Sequence, residues 1–238
     1  MLDQRRKQLL DAMGIRRWVR RDLPAQALRE PETESPGDAV IPAPEESVDE
    51  QPATEWEALR AQVAACEKCG LHTSRTQTVF GTGDRNADLL IIGEAPGADE
   101  DREGTPFVGR AGQLLDQMLL AAGFRRNQVY IANILKCRPP SNRNPAPDEI
   151  LACSGYLASQ IAMLEPKAIL AVGGVSATSL LKTDLSVGKL RGEVHQYGES
   201  NIPLVVTYHP AYLLRKPAEK ARSWLDLQLL MRLLRGVA

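Results

Sequence analysis

No stretch of this 238-residue chain approaches the roughly 20 consecutive apolar residues that a membrane-crossing helix requires. Its opening segment, MLDQRRKQLLDAMGIRRWVRR, has no apolar centre of the kind a secretory leader carries. Both absences set the expectation of a cytoplasmic protein with no membrane partner. A large charge imbalance is missing as well: the formal net charge is -1, so total charge alone does not point to nucleic acid. Neither a G-x-G-x-x-G run nor a Walker lysine follows the first apolar strand, which argues against a dinucleotide or phosphate cradle. Phenylalanines and histidines number three each, so any that falls in a motif carries weight.

What is present is segregated. Residues 1–56 carry 8 Lys/Arg and 12 Asp/Glu, a balance of -4, while residues 57–238 carry 21 and 18, a balance of +3. Residues 1–21 read as an amphipathic helical tail, with Leu9, Leu10, Met13 and Trp18 near one face among arginines. That helix is expected either to dock on a protein partner or on the domain, or to remain a solvated tail. Residues 22–55 are rich in proline and acids and nearly free of aromatics, which predicts a disordered linker.

From Trp56 the pattern becomes globular, giving one domain over 56–238. Helices are predicted over 56–66, 109–124, 146–166, 175–182 and 218–236. Short apolar strands are predicted over 87–93, 128–135, 168–174 and 202–209. Apolar strands alternating with helices imply an α/β fold whose mostly parallel sheet is covered on both faces. Ligands of such sheets bind outside the carboxyl ends of the strands. The strands end in GEAPG, NILKCRPP, VGG and YHPAY, so Glu94, Asn133 and His209 are expected to converge at one edge.

Four cysteines remain: Cys66 and Cys69 in a C-x2-C pair, Cys137 after the second strand, and Cys153 on a helix. Inside a cell a four-thiolate metal site is favoured over disulfides. Zinc and an iron–sulfur cluster both take four thiolates, and spacing alone does not separate them. A single C-x2-C pair with two distant partners leans toward a cluster.

GEAPGADED, GTPFVGRAGQLLD, NILKCRPPSNRNP and TYHPAYLLR, with this order of cysteines, resemble the type-4 uracil-DNA glycosylases over about residues 56–235. The resemblance implies an αβα sandwich around a parallel four-stranded sheet and a [4Fe-4S] cluster on the four cysteines. It implies hydrolysis of the bond between uracil and deoxyribose in DNA, single- or double-stranded, by a monomeric DNA-repair enzyme. Relatives that crosslink to the abasic product carry a basic, His-bearing insertion after the Phe motif. PFVGRAGQLLD continues without one, so crosslinking is not expected.

The motifs then take roles. Glu94 is expected to orient or activate water and to stabilise a cation-like sugar. Gly93 and Gly97 are expected to let backbone approach the ligand, and Ala95 to contribute backbone groups. Phe107 is expected to stack on the flipped base, although a lone Phe is more often core. Asn133 offers a donor and an acceptor to the uracil edge. His209 is expected to donate to the uracil carbonyl as charge builds there. Leu213, Leu214 and Arg215 are expected to form a loop that wedges into the minor groove, beside Lys216. Lys189 and Arg191, in a Gly-bounded loop, are expected to meet phosphates, with Arg138 and Arg143 as further basic positions. Two other readings compete: a module that binds damaged DNA without cleaving it, and an NAD- or phosphate-binding enzyme, which the acidic GEAPGADE loop disfavours.

Overall fold

A computed structural model describes residues 54–236. The expected helical tail and all but the last two residues of the expected linker lie outside the described residues. Those two belong to the folded part. Thr54 caps helix α1 (Glu55–Ala64), its hydroxyl accepting the Glu57 amide at 3.4 Å.

One six-stranded sheet organises the domain: β1 (Thr82–Gly83), β2 (Leu89–Gly93), β3 (Tyr130–Asn133), β4 (Ala168–Val172), β5 (Val194–Tyr197) and β6 (Ile202–Thr207). Their order is β1-β3-β2-β4-β6-β5. The four expected strands are the parallel centre, β3-β2-β4-β6. The expected count of four is corrected by two antiparallel edges. β1 is only two residues long, and β5 alternates exposed and half-buried residues, so neither forms an apolar run.

The remaining helices are α2 (Ala98–Glu103), α3 (Arg110–Ala122), α4 (Pro147–Leu164), α5 (Gly174–Leu181), α6 (Val187–Leu190), α7 (Pro210–Arg215) and α8 (Lys220–Leu234). Side chains alternate across each strand, so β2 feeds two cores. Leu90 and Ile92 pack with Trp56 and Val63 of α1 and Leu157 and Ile161 of α4. Leu89 and Ile91 pack with Leu115 and Met118 of α3 and Leu227 and Leu230 of α8. This is the expected αβα sandwich.

The connection from β2 runs through α3 to β3 on one side, and the chain then crosses through α4 to β4 on the other. The reversal at β2 opens a crevice at the carboxyl ends of the strands. Gly93 and Asn133 are paired in register at the ends of β2 and β3, which brings their loops level. Among the described residues no helix is long and apolar enough to cross a membrane.

Candidate functional site at the carboxyl ends of the strands

A cleft of about 590 Å³ opens at this edge. Glu94, Ala95, Phe107, Asn133, His209 and Arg215 all line it, brought together from four separate segments. Gly93, buried at the end of β2, packs directly against two of these residues. A Cβ there would stand 2.4 Å from Asn133 Oδ1 and 2.6 Å from Phe107 Cζ, so any side chain would collide with both. Asn133 is buried, and its Oδ1 has no hydrogen-bond partner. A buried acceptor without a partner is costly, and in a cleft it marks a place for a ligand donor.

Phe107 adopts a left-handed backbone with φ 55°, an unfavourable choice for an aromatic residue. Its surroundings enforce it. Arg126 donates to the Phe107 carbonyl at 3.2 Å and to the Pro106 carbonyl, and is itself held by Asp116 at 2.8 Å. Gly112 lets α3 approach, since a Cβ there would lie 1.7 Å from the Phe107 carbonyl oxygen. The Glu100 carboxylate accepts the amides of Gly97 at 3.0 Å, Val108 at 2.9 Å and Gly109 at 3.2 Å. One carboxylate on α2 thus ties the loop after Glu94 to the turn that carries Phe107. Asp101, also on α2, is buried and accepts the Thr76 amide at 2.9 Å. Within the acid run, Glu100 and Asp101 therefore fasten backbone, while Asp99 and Glu103 pair with the Arg102 side chain. Sequence reading missed Glu100, Gly112 and Arg126, because their partners lie in other loops.

His209 ends the segment after β6. Its Nδ1 accepts the Ala211 amide at 3.1 Å, capping α7, which leaves the ring proton on Nε2. Burial, with Arg215 nearby, lowers its pKa to about 4, so the ring is a neutral donor near pH 7. Burial also raises the pKa of Glu94 above the usual carboxylate value. The other two histidines are engaged locally: His72 with the Cys69 carbonyl and His195 with the Leu190 carbonyl.

Three expectations for DNA contact change. HPAYLLR is a short helix rather than a loop, because Pro210 sits at its first position and His209 caps it. On that helix Leu213 turns inward and is 1% exposed, packed in the core on the side of α3. It is a core residue, not a wedge. Leu214 is 36% exposed and Arg215 is exposed at the cleft. Arg191 is committed to the buried Asp226, with bonds of 2.9 and 3.2 Å, and is not a free phosphate contact. Lys189 and Lys216 are exposed. Arg143 pairs with Glu149 at 2.6 Å on the cleft rim, and Arg138 donates to Asn142 at 2.7 Å.

All four cysteines line a second, smaller cavity, between the segment after α1, the loop after β3 and helix α4. Arg75 donates to Cys137 Sγ at 3.2 Å, and the Lys136 amide to Cys153 Sγ at 3.3 Å. Among the described residues no group of three or more His, Cys, Asp or Glu forms a site for a single metal ion.

Residues 80–229 match the model of the uracil DNA glycosylase superfamily. A type-4 uracil-DNA glycosylase of Pyrobaculum aerophilum is 43% identical over 175 residues, 71% of this chain and 89% of the relative. Another, from Sulfurisphaera tokodaii, is 45% identical over 168 residues, 68% and 76% of the two chains. A type-5 uracil-DNA glycosylase of Pyrobaculum aerophilum is 30% identical over 148 residues, 55% and 64%. With these matches spanning the strands and loops that build the cleft, the chain belongs to the uracil-DNA glycosylase superfamily, with the type-4 enzymes.

Proposed function

We propose that the cleft hydrolyses the N-glycosidic bond of deoxyuridine in DNA, releasing uracil and leaving an abasic site, the first step of base excision repair. The observation that carries this reading is the unpartnered Asn133 Oδ1, buried against Gly93 beside Phe107. A flipped uracil supplies an imide N–H to that oxygen and a carbonyl to the amide's donor. Cytosine lacks that N–H.

Each side chain then has a task. Phe107 gives the base a face to rest on. Glu94, across the cleft, orients the attacking water and stabilises the positive charge that develops on the sugar. His209 offers Nε2–H to the uracil carbonyl as negative charge gathers on the leaving base. A neutral ring suits this, because Nδ1 keeps accepting the Ala211 amide while Nε2–H is free to donate. Leu214 is the remaining apolar candidate to fill the space a flipped base vacates, with Arg215 and Lys189 toward the backbone.

The four cysteines fit a [4Fe-4S] cluster. They surround a common space without converging on one ion, and two of them receive N–H donors suited to thiolate charge. Bound there, the cluster supplies a structural cross-link between the segment after α1 and the loop after β3, and takes no part in cleavage.

The test is incubation with a uracil-containing oligonucleotide followed by alkali. Strand scission at uracil supports the glycosylase. Binding without scission would favour a module that holds damaged DNA.

A further inference from the structure

Lys136 is a charged side chain that the proposed cleavage does not use, and it is 1% exposed. Among the described residues no ion pair includes it. Its ammonium donates to two neutral oxygens: the Asn133 carbonyl at 3.0 Å and Gln160 Oε1 at 2.6 Å. Cys153 lies close enough to favour the charge, yet the ammonium's two hydrogen bonds go to neutral oxygens, so burying it still carries a cost.

The geometry shows what the charge does. Asn133 is the last residue of β3, where the ladder with β2 ends. Its carbonyl is taken by the ammonium from three residues onward. Gln160 holds the other side of the ammonium and is itself tied to the Phe80 carbonyl at 3.0 Å. The Lys136 backbone is pinned as well, its carbonyl accepting the Val79 amide at 2.7 Å and its amide donating to Cys153. The carbonyl of Asn133 is thus anchored to a rigid frame, while its side-chain Oδ1 is left without a partner in the cleft.

We propose that Lys136 is a positioning residue for base recognition: by holding the Asn133 carbonyl it fixes the amide that meets the base edge. This rests on the reading of Asn133 given above. A charge-assisted bond is stiffer than a neutral one, and a reading amide needs that stiffness.

The test is a double-mutant cycle on uracil release from a uracil-containing oligonucleotide, with kcat and KM separated. The melting temperature and the absorbance near 400 nm are recorded for every variant. Lys136→Met is expected to lower kcat by about tenfold to a hundredfold, with KM changed by less than about threefold. Asn133→Ala is expected to lower kcat at least as far, and the double variant to be no slower than Asn133→Ala alone. A double variant slower by the full Lys136→Met factor overturns the proposal, since the lysine then acts elsewhere. A slow Asn133→Ala with an unimpaired Lys136→Met overturns the proposal and spares the reading of Asn133. An unimpaired Asn133→Ala removes both. If Lys136→Met does not fold, Lys136→Gln, which keeps a donor without the charge, is judged by the same criteria.

Discussion

The rings of Phe107 and His209 stack, with centroids 5.6 Å apart and planes 28° from parallel. The two residues lie 102 positions apart in the chain and both line the cleft. In the proposed reaction their contact sets the platform for a base and the donor for its carbonyl in one arrangement. What holds that arrangement is a strained turn at Phe107, and the strain is opposed by Glu100, Arg126 and Gly112.

Glu100→Ala is therefore expected to act on the cleft without touching substrate. Three backbone amides lose their acceptor, and the Phe107 turn relaxes. The expected cost is about 1–3 kcal/mol of stability and at least about tenfold in kcat. Urea melts and single-turnover cleavage measure the two effects. Unchanged kcat at lowered stability would show that the turn holds without the carboxylate.

The pH profile follows from Glu94 and His209, whose shifts run in opposite directions. In the proposed reaction Glu94 works as a carboxylate, and burial raises its pKa. The acid limb of kcat should therefore lie above the ordinary carboxylate value of 4.5, and the residual activity of Glu94→Gln should lack it. His209 remains neutral down to about pH 4 and does not set that limb.

His209 should also be visible in stability. Unfolded, it takes up a proton below pH 6.5; folded, it resists until about pH 4. Its contribution is present above pH 6.5 and is lost as pH falls through that window, by up to about 3 kcal/mol. Urea melts across the window should show a smaller loss in His209→Asn than in the parent. An equal loss would place the acid sensitivity elsewhere.

Leu213 and Leu214 are adjacent and should behave oppositely. Leu213→Ala opens a cavity in the core and should cost about 2–5 kcal/mol. Leu214→Ala, at a 36% exposed site, should leave the melting temperature nearly unchanged and slow cleavage of double-stranded substrate more than single-stranded. Loss of stability in Leu214→Ala with no effect on duplex cleavage would reject its role as a wedge.

The proposed cluster makes a spectroscopic prediction. Protein purified without oxygen should be brown, with broad absorbance near about 400 nm and four irons per chain. Cys69→Ser should weaken that absorbance and lower the melting temperature. A colourless protein with stoichiometric zinc would replace the cluster with an ion.

The central strands were legible because each is a continuous apolar run bounded by glycine or polar residues, as in LLIIG and AILAV. The carboxyl-end rule then placed Glu94, Asn133 and His209 at one edge. The edge strands were not legible: Thr82–Gly83 is too short to show a period, and Val194–Tyr197 has His195 and Gln196 at its centre instead of an apolar run. Leu213 was misread because a turn of helix separates inward from outward residues that look equivalent in a loop. Arg191 was misread because Asp226 lies 35 residues away. The support of the cleft, through Glu100, Arg126 and Lys136, is carried by side-chain bonds to backbone groups at irregular separations, which leave no pattern in local sequence.

The central claim is that one carboxylate and one imidazole at the strand ends cleave the glycosidic bond. Its most direct test is single-turnover release of free uracil by the parent, Glu94→Gln and His209→Asn, each verified as folded. The parent should release one uracil per site, and each variant should be slower by at least about a hundredfold. Release at the parent rate by both variants would contradict the account.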